Sequence, residues 1–73
     1  MGKRKLILTN RVRECRSNAG GMTQQQLADL VGVTRQTVNA IEANKYSPSL
    51  EVAFLIARTL DSSIEDVFGF VEG

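Results

Sequence analysis

Hydrophobic residues recur every three or four positions along most of the chain, and short polar or glycine-containing stretches interrupt them. This spacing is the period of amphipathic α-helices. Helix start and stop signals divide residues 10–68 into about five short helices, which we interpret as one domain. Residues 1–9 form a basic and apolar N-terminal arm, and residues 69–73 form a C-terminal tail. The predicted fold class is therefore all-α, although the arm has some strand character in "KLIL".

The first predicted helix runs from about Asn10 to Asn18, with Thr9 or Asn10 as its N-cap, and ends at "AGG". Three of its residues lie on one stripe at helical spacing, and this stripe is expected to face the core: Val12, Cys15 and Ala19. Cys15 is thus interpreted as a core residue.

The second and third predicted helices lie close together in the sequence. Thr23 and Gln26 form a capping box that opens the second helix. This helix stops at Gly32, and Thr34 follows almost at once as the N-cap of the third helix. Two short helices joined by such a glycine-containing turn are typical of a helix-turn-helix. The residues of the second helix expected in the core are Leu27, Leu30 and Val31.

The last two predicted helices follow the breakers in "ANKYSP". Ser49 caps "LEVAFLIARTL", most of which is expected to be central core. Leu55 lies on its polar stripe and is a candidate subunit contact. Ser62 and Glu65 form a second capping box that opens the final short helix.

The third helix has an unusual outward face. An exposed helix commonly carries Glu and Lys, whereas "VTRQTVNAIE" directs a guanidinium, amides and small side chains outward. Gln and Asn can each pair with adenine, and Arg can pair with guanine. In DNA-binding helix-turn-helix proteins this helix enters the major groove. The residues predicted to read bases are Arg35, Gln36, Asn39 and Ala40.

Other residues are placed to contact the DNA backbone. The exposed N-terminus of the second helix, at Thr23 and Gln24, offers backbone N–H groups to a phosphate. Thr37 lies on the flank of the third helix, and Lys45 and Tyr46 follow that helix in positions to reach the far side of the groove.

Net charge is distributed unevenly along the chain. Residues 1–16 carry six basic side chains against one acidic one, a net charge of +5, and residues 47–73 carry one basic side chain against five acidic ones, a net charge of −4. A basic front, which includes Lys3 and Arg4, suits nucleic acid or an acidic partner.

Glu42 is the one charged residue on the inward side of the third helix. A buried carboxylate needs a partner, and Arg16, at the end of the first helix, is the expected one. We interpret Arg16 and Glu42 as a structural ion pair without a catalytic role.

Composition excludes several other classes. The chain has no histidine and one cysteine, so we expect no disulfide within the chain, no metal site and no cofactor. No base and nucleophile can be assembled, so we do not expect an enzyme. The apolar run "LIL" is too short for a secretory signal, and no stretch approaches a membrane span. The expected location is cytoplasmic.

The stretch "MTQQQLADLVGVTRQTVNAIEANKYSPSLEVAFLIARTLDSSIEDVF" resembles the Cro/phage-repressor (Xre-type) helix-turn-helix family. The resemblance covers residues 10–68 and implies a five-helix domain whose third helix reads double-stranded operator DNA, usually as a homodimer. Family phosphate contacts correspond to Gln24, base contacts to Arg35, Gln36, Asn39 and Ala40, and the family's internal ion pair to Arg16 and Glu42. The chain is similar to the minimal stand-alone subgroup, so no small-molecule effector domain is expected.

The dimer interface has two candidate locations. Two copies of "KLIL" could pair as an antiparallel ribbon, or the tail residues Phe70 and Val71 could meet a second subunit. The leading hypothesis is a sequence-specific transcriptional regulator that acts as a repressor on an inverted-repeat operator. Two alternatives stay open: an antitoxin that represses its own operon and binds a toxin, and an adaptor that docks on another protein.

Overall fold

A computed structural model describes residues 5–73. Within that range it contains five α-helices and a two-stranded antiparallel sheet. The elements, in chain order, are β1 (Leu6–Asn10), α1 (Val12–Asn18), α2 (Gln24–Val31), α3 (Arg35–Glu42), α4 (Leu50–Thr59), α5 (Ile64–Val67) and β2 (Phe68–Glu72). The expectation of five helices is confirmed, but the fold is not purely all-α, because strands flank the helical domain.

The two strands form what we call the terminal ribbon, β1 paired with β2. Leu6 lies opposite Glu72 and Asn10 opposite Phe68. The strand character of "KLIL" is therefore confirmed, but the described partner of β1 is the tail of its own chain and not a second copy. A strand in the same chain meets the need of β1 for backbone hydrogen bonds without association. Lys3 and Arg4 of the predicted basic arm lie outside the described residues.

Helix α1 begins at Val12, two residues later than expected, because Thr9 and Asn10 continue the strand. Arg11 occupies the N-cap position and makes no capping hydrogen bond with its side chain. Asn10 still helps to cap the helix, since its Oδ1 accepts a hydrogen bond from the Val12 backbone N–H at 3.2 Å.

Most of the predicted caps are confirmed. Thr23 and Gln26 form a complete capping box at α2, and Thr34 and Ser49 cap α3 and α4 through their hydroxyl groups. The prediction for α5 is wrong by one residue. Ser63 caps α5 by accepting the Asp66 backbone N–H, whereas the Ser62 hydroxyl donates to the backbone of the preceding turn. Two adjacent serines make this register ambiguous in the sequence.

The core lies between the five helices and is mainly aliphatic. The prediction that Leu30 is buried is wrong, because its side chain is 66% exposed. Ala28 is fully buried instead. Leu27 and Ala28 lie about 100° apart round the helix, so the side of α2 that faces the core is centred between them. The largest fully buried side chains are Val12, Leu27, Val38, Ile41, Ile56 and Val67.

Helix α4 is less buried than expected. Its inward side consists of Ala53, Ile56 and Ala57, in a stripe that ends at Leu60. Leu55 is exposed, in accord with its predicted place on the outer stripe, but the three large apolar residues that face outward on α4 are Leu50, Phe54 and Leu55.

Candidate nucleic-acid interface

Helices α2 and α3 are joined by a tight turn. Gly32 ends α2 in the left-handed conformation, with φ of 88°, and its backbone N–H donates to the Ala28 carbonyl at 2.8 Å. The Val33 N–H donates to the same carbonyl at 3.0 Å. Thr34 then opens α3, because its hydroxyl accepts the Thr37 backbone N–H at 3.1 Å. The backbone thus makes the helix-turn-helix unit that the sequence predicts.

The outward face of α3 holds the predicted base-reading residues. Arg35, Gln36 and Asn39 are exposed, and Ala40 is half-buried beside them. Among residues 5–73, the side chains of Arg35 and Gln36 have no hydrogen-bond partner, so their donors and acceptors remain available to a ligand. The side chains on this face have the chemistry that base edges in the major groove require.

The Glu42 carboxylate is held at the inner side of α3. Arg16 Nε lies 2.7 Å from Glu42 Oε2, and Arg16 Nη2 lies 3.1 Å from Oε1. The third guanidinium nitrogen, Nη1, donates to the Met22 carbonyl at 2.7 Å. The two side chains are only 13% and 8% exposed. Among the described residues, no buried side-chain nitrogen or oxygen lacks a hydrogen-bond partner, so the cost of burying this ion pair is offset by its hydrogen bonds.

Gln24 adds a second donor to this ion pair. Its Nε2 lies 3.1 Å from Glu42 Oε1 and 3.3 Å from Asn39 Oδ1. Four side chains from three helices therefore form one hydrogen-bonded network: Arg16, Gln24, Asn39 and Glu42. The network brings a predicted phosphate-contact residue into direct contact with a predicted base-reading residue.

The remaining predicted backbone-contact residues occupy several places. Thr23 is exposed at the N-terminus of α2. Thr37 is half-buried, and its hydroxyl oxygen lies 3.0 Å from that of Thr34. Lys45 is exposed just beyond α3, whereas Tyr46 is 53% exposed and lines a cavity of about 350 Å³ beside the terminal ribbon. Tyr46 is thus not brought into the Gln24 and Asn39 network.

Two contacts near the interface were not predicted from the sequence, one made by Arg13 and one by Asn10. Arg13 is exposed and borders the same depression as Gln24 and Asn39; its place in the basic front was the available signal. Asn10 Nδ2 donates to the Ile41 carbonyl and to Asn44 Oδ1, both at 2.9 Å. Asn10 thereby ties the terminal ribbon to the end of α3, a contact with no local signal in the sequence.

Two other kinds of site are not found in the part of the chain that the structure describes. Across residues 5–73, no helix combines the length and apolar character that a membrane crossing needs. The same residues contain no group of three or more His, Cys, Asp or Glu side chains placed to share a metal ion.

The fold and this surface define a helix-turn-helix protein of the DNA-binding class, and comparison with known proteins agrees. A helix-turn-helix family model matches residues 12–67. An HTH-type transcriptional regulator of Archaeoglobus fulgidus is 48% identical over 63 residues, which cover 86% of this chain and 89% of that protein. The HTH-type transcriptional regulator YgzD of Bacillus subtilis is 45% identical over 65 residues, which cover 89% and 97% of the two chains.

A solved structure shows the same fold. The crystal structure of the clp gene regulator ClgR from Corynebacterium glutamicum superimposes with a TM-score of 0.70 at 24% sequence identity. The match covers 75% of this chain and 57% of that chain. The chain belongs to the Xre/Cro-type helix-turn-helix family, whose members bind DNA and regulate transcription.

Proposed function

We propose that the protein is a sequence-specific transcriptional regulator that inserts α3 into the major groove of double-stranded DNA. The observation that carries this proposal is the charge of the outward face of α3. Arg35, Gln36 and Asn39 are exposed there, while the single carboxylate of α3, on Glu42, is turned inward and paired with Arg16. The groove would therefore meet donors and amides without a negative charge.

The proposed base contacts follow from side-chain chemistry. The Arg35 guanidinium can donate to O6 and N7 of guanine, and the Gln36 and Asn39 amides can each pair with N6 and N7 of adenine. Ala40 has a small side chain, so the helix axis can approach the floor of the groove. Each bidentate contact contributes about 1–3 kcal/mol of discrimination against a wrong base.

The proposed backbone contacts surround this face. At Thr23 and Gln24 the N-terminus of α2 presents backbone N–H groups and the positive end of a helix dipole to a phosphate. Lys45 supplies a cation beyond α3, and we add Arg13, because it is exposed beside Gln24 and Asn39. Thr37 and Tyr46 are further candidates on the flank of α3 and beyond its end. Such contacts position the protein without reading the sequence.

We further propose that the protein acts as a homodimeric repressor. The terminal ribbon leaves large apolar side chains half-exposed on both of its faces, Ile7 and Val71 on one and Leu8 and Phe70 on the other. A two-stranded ribbon alone is marginally stable in water, so a second subunit that covers this surface would stabilise it. A DNA-bound dimer would block transcription by occupying its operator, and this activity implies a cytoplasmic location beside the chromosome.

Selection of bound duplexes from a randomised DNA library at physiological salt tests the proposal. We expect an inverted repeat with half-sites about 10 bp apart, the spacing set by one turn of DNA. The variant Gln36→Ala, selected in parallel, should enrich a site with a relaxed position in each half. Failure of wild-type protein to enrich any sequence would refute sequence-specific regulation and would favour a protein partner.

A further inference from the structure

Gln24 stands between the ion pair and the recognition helix. It is the first residue of α2, is half-buried, and directs its side-chain nitrogen at oxygens of both Glu42 and Asn39, at 3.1 and 3.3 Å. We propose that Gln24 is a positioning residue that fixes the orientation of the Asn39 amide and thereby sets which base Asn39 prefers. This inference rests on the proposed function.

The orientation of the Gln24 amide follows from the chemistry of its neighbour. A carboxylate is an acceptor only, so the Gln24 atom that faces Glu42 must be the NH₂ group. The carboxylate itself cannot turn away, because Arg16 holds both of its oxygens, and the Met22 carbonyl holds Arg16 in turn at 2.7 Å. The Met22 carbonyl thus fixes Arg16, Arg16 fixes the Glu42 carboxylate, and that carboxylate fixes the Gln24 amide.

Asn39 is oriented by the same reasoning. The NH₂ group of Gln24 has two hydrogens and faces two acceptors, the Glu42 carboxylate and the Asn39 side chain. The Asn39 atom that faces Gln24 must then be Oδ1, because the reversed amide would place two NH₂ groups against each other. The Nδ2 group of Asn39 is left with its hydrogens available to DNA, and Oδ1 keeps a second lone pair.

This arrangement changes the role of the Gln24 side chain. Its N–H groups are engaged within the protein, and the remaining Oε1 is an acceptor, as phosphate oxygens are. In this arrangement both side-chain N–H groups are directed at protein acceptors, so the backbone N–H of Gln24 is the donor left for a phosphate. In a fixed Asn39 amide, Nδ2 can donate to N7 of adenine while Oδ1 accepts from the N6 amino group. Because the amide does not flip, it recognises adenine in one orientation of the base pair. Without Gln24 the amide could adopt both orientations.

The test measures base preference and not affinity alone. Wild-type protein and variants are titrated against the selected operator and against duplexes with each base pair of one half-site replaced. Asn39→Ala identifies the base pair that Asn39 reads by a loss of preference there of about 5- to 150-fold. Gln24→Met keeps the length of the side chain and removes its donors. We expect it to reduce preference at that same base pair by about 2- to 12-fold, the effect of one hydrogen bond.

Three further variants complete the design. Gln24→Met should have little effect on base preference when Asn39 is already alanine. Gln24→Lys, which restores N–H donors towards Glu42 and Asn39, should retain the preference and supplies a second variant in case Gln24→Met is unstable. Gln25→Ala is the matched control, because Gln25 is exposed on the same helix and its side chain bonds to Asp29 at 2.8 Å.

The possible results separate this inference from the function on which it rests. If Gln24→Met weakens binding to every duplex alike and leaves the preference intact, Gln24 acts on the backbone and the inference is wrong. A folded Gln24→Lys variant that loses the preference would also overturn it. A wild-type protein with no base preference at any position would instead overturn the proposed function itself.

Discussion

The Arg16 and Glu42 pair gives the clearest prediction of stability. Replacement of Glu42 by alanine would leave the Arg16 guanidinium, only 13% exposed, with the Met22 carbonyl as its remaining described acceptor. Removal of one member of a buried ion pair costs about 3–5 kcal/mol. Because Arg16 keeps one hydrogen bond and some contact with water, we expect the lower end, about 3 kcal/mol.

Thermal unfolding followed by circular dichroism measures this effect. A chain of 73 residues has a total stability of about 4–11 kcal/mol, and in a domain of this size each 1 kcal/mol shifts Tm by about 4–8 °C. Glu42→Ala should therefore lower Tm by about 12–24 °C. Glu14→Ala is the matched control, because Glu14 lies 3.5 Å from Arg11 in a pair whose side chains are about 60% exposed. Its loss should cost at most about 1 kcal/mol.

Two results would refute this reasoning. One is a decrease in Tm for Glu42→Ala no larger than that for Glu14→Ala. The other concerns the double variant Arg16→Met with Glu42→Leu, which removes both charges from the site. Apolar replacement of a whole buried pair is often neutral or stabilising, so this double variant should be more stable than Glu42→Ala. If the double variant were less stable than Glu42→Ala, the unpaired Arg16 charge could not be the cause of the destabilisation.

Three further predictions concern DNA binding, the turn and the dimer. Gln36→Ala should relax base preference by about 1–3 kcal/mol at one position of each half-site. Lys45→Ala should weaken binding to all duplexes alike and reduce the slope of log K against log salt concentration by about 1. If titrations gave the reverse pattern, Lys45 would be the base-reading residue and Gln36 the backbone contact. Gly32→Ala should cost about 1–2 kcal/mol in thermal unfolding because φ is positive there, and Gly32→Asn should cost less, so equal losses would point away from backbone strain. Val71→Lys should yield a monomer by sedimentation, while Leu30→Lys should leave the proposed dimer intact. A dimeric Val71→Lys would exclude the ribbon face that holds Ile7 and Val71 as the interface.

Local signals in the sequence predicted the five helices, but they predicted neither all of the helix ends nor the contacts between helices. Thr23, Thr34 and Ser49 each accept the backbone N–H three residues later, so their caps could be predicted without a tertiary structure. Leu30 was misplaced because the inward direction of α2 depends on how closely a neighbouring helix approaches the small side chain of Ala28. A helical period identifies a stripe, but it does not show which edge of that stripe packs most closely.

The same limit applies to the candidate site. The amides and guanidinium of α3 were recognisable because one helix presents them at a fixed spacing. The contact of Gln24 with Asn39 could not be predicted, since it depends on how α2 and α3 cross and on a carboxylate fixed from α1. The pairing of β1 with β2 likewise joins segments at opposite ends of the described chain, and neither segment indicates its partner.

That pairing has a consequence for the order of folding. Leu6 and Glu72 are 66 positions apart, and the length-dependent part of the chain entropy lost on closing such a loop is about 3.7 kcal/mol. Packing of the helices offsets this loss of entropy, because it brings the two segments close together before their strand hydrogen bonds need to form. In the single chain, before a second subunit covers it, the ribbon should therefore assemble late and open first, as a unit of low local stability whose amides exchange with solvent while the helices remain folded.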